Sequence, residues 1–246
     1  LLLALFTLAA IAIAAMIKPM PQSNSYHNFA DRRTIAGIPN FFSVVSNLPF
    51  LFVGLYGLTM LRKSTALRSI NSMYAILFTG IFLTGLGSAY YHYAPDNNSL
   101  VYDRIPMTIV FMAFLSAAIA AWIDVKAGTR LIAPLLLTGV ASVLWWHYTE
   151  LQHAGDLRFY GFIQFYPMLI IPLIFWLFAS AVNNKGLLLL VWVIVWYVAA
   201  KLFETFDAPL YKATGFISGH SLKHIAAAIA TWCIVRFFDR KYIVSS

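Results

Sequence analysis

Eight long apolar stretches divide this chain, and short polar or proline-bearing breaks separate them. They fall at roughly 1–17, 41–61, 72–93, 103–124, 130–147, 161–180, 187–205 and 218–238. A bilayer core about 30 Å thick takes about 20 helical residues, so each stretch is long enough to cross one. Lys18-Pro19 closes the first and Arg62-Lys63-Ser64 the second. Ala94-Pro95-Asp96-Asn97-Asn98 parts the third from the fourth, and Asn183-Asn184-Lys185-Gly186 reads as a tight turn between the sixth and seventh. Pro167 and Pro172 lie inside the sixth, where neighbouring helices can satisfy the freed carbonyls. The pattern predicts an all-α polytopic membrane protein. A seven-transmembrane-helix bundle occupies residues 26–240, and one extra N-terminal apolar helix precedes it at 1–17. That first stretch is long for the core of a signal peptide, so it reads as a helix that stays. The longest connections are 18–40 and 206–217.

Composition agrees. Hydrophobic residues make up 61% of the chain and charged ones 11%, where a soluble domain carries about 25% charge. The formal charge of +8 does not point to nucleic acid. The basic residues are spread over short loops, as topology signals and contacts to anionic lipid are. The single cysteine, Cys233, has no partner for an internal disulfide and reads as a packing residue.

Tracing the seven core segments alternately across a bilayer brings polar residues to one face. Asp31, Asn40, His92, Asp103 and His220 all fall there, as do Asp96, Glu150, Asp156, Glu204 and Asp207. Lysine and arginine split almost evenly, but the loops of the opposite face are shorter and therefore denser in basic charge. The positive-inside rule then makes that opposite face, with the C-terminus, cytoplasmic. The polar face is expected to be periplasmic, extracellular or lumenal.

The polar face holds the candidate chemistry. His220 and His224 are four residues apart at the start of the last segment, one above the other on a helix. His92 closes the second core segment, with Ser88 one turn before it, and Asp103 opens the next. Three neutral histidines fill three corners of a zinc tetrahedron and leave the fourth open, the usual catalytic arrangement. Zinc lowers the pKa of water to about 7 and polarises carbonyls. The residues between His220 and His224 are Ser221, Leu222 and Lys223, so the pair carries no built-in base. Asp103 is the candidate base. Ser88 is placed to hold the water or an oxyanion, with Tyr102 a second candidate for the oxyanion. Lys223 reads as a snorkelling or loop-facing cation, and His27, His147 and His153 as packed or interfacial residues.

This set resembles the signature of the alkaline ceramidases, part of a wider group of seven-helix membrane hydrolases that includes the progestin and adiponectin receptor family. The resemblance rests on Ser88-x3-His92, Asp103 at the next helix start, and His220-x3-His224 in the last helix, over residues 26–240. Ser46-Asn47-Leu48 in the first core segment is similar to the ceramidase version in particular. The resemblance implies zinc held by His92, His220 and His224, with Asp103 and Ser88 touching its water. It also implies hydrolysis of the amide of a ceramide-like membrane lipid to a sphingoid base and a fatty acid. Animal members bind calcium through a carboxylate-rich stretch before the first core helix. Here only Asp31 and Asn40 offer side-chain oxygens of that kind, leaving backbone and water to supply the rest of the six to eight that calcium prefers. These departures and the extra N-terminal segment suggest a distant, bacterial-type member.

Four other readings compete with this one. A receptor of the adiponectin-receptor type, or a hydrolase of another acyl lipid, would share the histidines. A haem protein takes axial ligands from opposite sides, whereas His220 and His224 share a face. A metal transporter would want its polar residues near the midplane.

Overall fold

A computed structural model describes residues 1–178 and 184–243. Ten α-helices are described: α1 (Leu2–Met16), α2 (Phe41–Val45), α3 (Leu48–Met60), α4 (Arg68–Tyr93), α5 (Asn97–Trp122), α6 (Val125–Leu151), α7 (Arg158–Phe178), α8 (Asn184–Thr205), α9 (Asp207–Thr214) and α10 (Gly219–Tyr242). Seven spans are long and apolar enough to cross a membrane, with α2 and α3 counted as one, and α1 is a shorter apolar helix beside them. The protein is thus an all-α, multi-pass bundle, as the apolar pattern predicts.

The helices outrun their apolar runs where polar caps extend them. α5 begins at Asn97 because Asp96 accepts a hydrogen bond from the Ser99 amide at 2.6 Å, while the Ser99 hydroxyl accepts one from the Asp96 amide at 3.0 Å. Asp103 therefore sits almost two turns inside α5 and does not open it. Ser218 caps α10 by accepting from the Ser221 amide at 3.2 Å. The turn expected at 183–186 begins outside the described residues, and Asn184–Gly186 belong to the first turn of α8.

The first core span is broken where a single helix was expected. The Asn47 amide group donates to the Ser43 carbonyl at 2.8 Å, and Pro49 lies in the first turn of α3. Local side-chain bonding and a residue without an N–H both favour a restart over an unbroken helix. The connection 206–217 contains α9, and the Asp207 carboxylate ties two other segments together there. It accepts from the Ala30 amide at 2.9 Å and the His220 amide at 2.7 Å.

α4 packs between α3 and α5, α5 reaches α6 and α7, and α10 joins α3 to α8. A Cβ on Gly87 would collide with the Tyr102 carbonyl, so only glycine lets α4 and α5 approach this closely. One apolar cluster, centred on Tyr74, Leu77, Phe78 and Phe238, fills the end of the bundle away from the histidines. A second, of Phe29, Tyr91, Leu100, Val143, Trp146 and Tyr160, lies beneath the 18–40 connection at the polar end. α1 lies against α7, and the Thr7 and Tyr166 hydroxyls are 2.7 Å apart.

Candidate metal centre

Helix α4 delivers His92 at its last turn and α10 delivers His220 and His224 at its first two turns. All three side chains are buried. The Nε2 atoms of His92 and His224 are 3.0 Å apart, those of His92 and His220 are 3.4 Å apart, and one ligand atom from each residue falls within 4.8 Å of the others. Metal–nitrogen bonds of about 2.0–2.1 Å in a tetrahedron put neighbouring nitrogens about 3.3 Å apart. The cluster therefore fits one ion, and it is the only such group among the described residues.

Other residues hold these imidazoles in place. The Ser46 hydroxyl is 2.8 Å from Nδ1 of His224, so the ring's remaining nitrogen is engaged and Nε2 is left for a ligand. The Asn40 amide group donates to the His92 carbonyl at 2.9 Å and steadies the end of α4. Phe29 covers the site, with its ring 4.7 Å from that of His92 and 4.5 Å from that of His220. His27 is held between the Tyr91 hydroxyl at 3.0 Å and Asn97 at 3.1 Å, away from the cluster.

Beside the histidines lies a cavity of about 390 Å³. His224, Asp103, Ser88 and Lys223 line its polar end, and the Asp103 carboxyl group has the Ser88 hydroxyl as a hydrogen-bonding neighbour. Farther in, the walls turn apolar, with Phe50, Ile81, Phe114, Val193 and Ile234. Gln164 and Phe165 of α7 and Tyr197 and Ala200 of α8 flank it. Those two helices scarcely touch among the described residues, and Phe165 is half exposed. α7 and α8 are thus the most loosely joined walls of the cavity among the described residues.

Several expected roles need correction. Tyr102 is 60% exposed and its ring packs on Tyr90, outside the cavity. Successive helical residues point about 100° apart, so with Asp103 inward Tyr102 faces out, and it cannot meet an oxyanion. Lys223 neither snorkels nor faces a loop. It lines the cavity and pairs with Glu204 at 2.7 Å, and Lys201 holds the other Glu204 oxygen at 2.8 Å. Asp31 and Asn40, the candidate calcium residues, lie apart in their bonding: the Asn40 amide nitrogen donates to the His92 carbonyl at 2.9 Å, and both Asp31 oxygens accept from Arg33, at 2.9 and 2.7 Å. Burial pushes the Asp31 carboxyl up, but the Arg33 bonds outweigh it and leave the group below the usual carboxylate range.

Sequence reasoning assigned no role to Phe29, Arg104 or Glu204, although parity placed Glu204 at this face. A charge inside an apolar run is the signal that could have found Arg104 and Glu204, whereas nothing in the spacing of Phe29 marks a lid. Burial and the Glu204 carboxylate raise the Tyr26 hydroxyl well above its ordinary value, so it stays protonated and donates to Glu204 at 3.3 Å.

Fold and site together define a multi-pass helical membrane protein with a buried three-histidine cluster able to hold a metal ion. No protein-family model matches the chain, and no curated protein does.

Proposed function

We propose that this protein is an intramembrane zinc-dependent amidohydrolase acting on ceramide-like lipids. The observation that carries the reading is the convergence of three histidine Nε2 atoms beside an apolar cavity whose polar end holds Asp103 and Ser88. Zinc bound there supplies Lewis acidity, polarising a carbonyl and making water acidic at neutral pH. The protein does the rest. The apolar wall from Phe50 to Ile234 takes an acyl chain and excludes water. The amide then rests at the polar end, near His224. Asp103 accepts a proton from the attacking water and passes it to the amide nitrogen as the C–N bond breaks. Ser88 orients the Asp103 carboxylate through its hydroxyl. The products are a sphingoid base and a free fatty acid.

The resemblance to the alkaline ceramidases supports the choice of amide and lipid. Shorter, denser basic loops at the far end support a cytoplasmic C-terminus and, with it, a site at the periplasmic, extracellular or lumenal side. A reporter fused after Ser246 is expected to read as cytoplasmic.

Metal analysis joined to fatty-acid release from ceramides, phospholipids and short soluble amides tests the proposal. About one zinc per chain is expected, with release from ceramide-like N-acyl lipids and none from ester-linked phospholipids or short soluble amides. Full zinc in His220→Ala and His224→Ala would remove the metal site. Zinc-loaded protein that cleaves an ester-linked lipid but no N-acyl lipid amide would overturn the substrate.

A further inference from the structure

Three cationic side chains belong to the cavity wall: Lys201, Lys223 and Arg104. Glu204 pairs with both lysines, at 2.8 and 2.7 Å, one carboxylate between two ammonium groups. Arg104 makes no ion pair among the described residues, although it is only 4% exposed. Its guanidinium lies 4.1 Å from the Trp146 ring centre, 4.5 Å from that of Tyr160 and 5.7 Å from that of Tyr26. Its Nη2 donates to the Gln22 side chain at 2.5 Å, while Nη1 is buried with no hydrogen-bond partner.

An unpaired buried cation is costly, and more so inside a membrane bundle. Aromatic faces return part of that cost but leave an in-plane donor unmet. A guanidinium presents its donors as a planar fork that matches a carboxylate or phosphate. Asp103, the adjacent residue, lines the same cavity and does not pair with Arg104. Gln22, Tyr26 and Tyr160 around the guanidinium line that cavity too, so an anion held by Arg104 would share it with the reacting amide.

We infer that Arg104 is an anion subsite, and that the lipid cleaved here carries an anionic group, a carboxylate or a phosphate, on its amine half beside the amide. The inference rests on the lipid-amidase reading for the amide, but the anion subsite stands on Arg104 alone. A neutral ceramide would leave the guanidinium unmet; a ceramide-like amide bearing a phosphate or a carboxylate on its amine half would satisfy it. The aromatic cage and Gln22 fix the plane of the fork, and the acyl chain occupies the apolar part of the cavity.

The test is a binding measurement on the full chain in detergent, stripped of metal so that neither hydrolysis nor a metal–carboxylate bond contributes. Tryptophan fluorescence, with Trp146 against the guanidinium, is the readout. N-palmitoylglycine is compared with its methyl ester, N-palmitoyl phosphoethanolamine with N-palmitoylethanolamine, and palmitate with palmitamide. Charge-assisted bonds predict that at least one of the first two acids binds about tenfold or more tighter than its neutral counterpart. Arg104→Gln should abolish that preference and Arg104→Lys should keep part of it. Equal affinity of each acid and its neutral partner in the unmodified protein overturns the subsite, whatever becomes of the variants. Arg104 dependence confined to palmitate would assign the anion to the released acyl group and overturn the headgroup. Anion preference in a protein that hydrolyses no lipid would leave the subsite standing and remove the hydrolase.

Discussion

At the scale of single residues, the site depends on side chains that never touch a substrate. Ser46 is one. Its hydroxyl, 2.8 Å from His224 Nδ1, selects the tautomer that presents Nε2. Partners of this kind are worth about 10–100-fold in metal affinity. Ser46→Ala should therefore weaken zinc binding on that order in a chelator competition; unchanged affinity would show that the contact does not set the tautomer. Asp103 makes the contrasting case. Asp103→Asn should keep the metal while turnover falls about 10²–10⁴-fold, and a variant that loses metal like the histidine variants would make Asp103 a ligand. The three histidines, Ser88 and Asp103 were legible because helical spacing and parity bring them to one end. Phe29, Arg104 and Glu204 were not, because their roles depend on which helix lies opposite, and a local pattern does not carry that. Tyr102 shows the same limit in reverse. Its proximity in sequence to Asp103 suggested a shared site, and 100° of helix rotation turned it outward.

At the scale of elements, the apolar pattern gave the number and order of spans, and the caps decided their ends. α5 gained six residues before Asp103 from the Asp96–Ser99 capping box, a polar device that hydropathy does not register. α9 was read as a connection because it is short and lies in a polar stretch. The approach of α4 to α5 rests on Gly87, one residue before Ser88. Gly87→Ala must move α4 and α5 apart, at about 1–3 kcal/mol for overpacking. Its melting temperature in detergent should drop, and its turnover should fall more than its metal content, since Ser88 and Asp103 separate. Wild-type melting would mean that the two helices are not held so close. The α6–α7 connection carries a pH response. Hydrogen bonds from Arg158 hold the Asp156 carboxyl below its usual value against the opposing push of burial. The folded pKa lies under the unfolded value near 3.9. The pair's contribution is therefore full above about pH 4 and fades as pH falls through the folded pKa. Asp156→Asn should melt lower at neutral pH and show a shallower acid limb, and superimposable melting curves across that range would rule the pair out as a source of acid sensitivity.

At the scale of the whole molecule, parity in the sequence placed the polar residues at one end, and contacts across the bundle bear this out. The Gln22 amide meets Glu150, the Leu157 amide meets the Met20 carbonyl, and Ala30 and His220 share Asp207. The cavity between those residues and the apolar core has α7 and α8 as two of its walls, and these helices stand apart among the described residues. On the proposed lipid-hydrolase reading, a substrate entering sideways is drawn from a two-dimensional fluid. The rate would then be set by how many of the surrounding amphiphiles are substrate, so diluting a mixed micelle with water should leave the velocity per protein unchanged, whereas adding inert detergent at constant substrate should lower it.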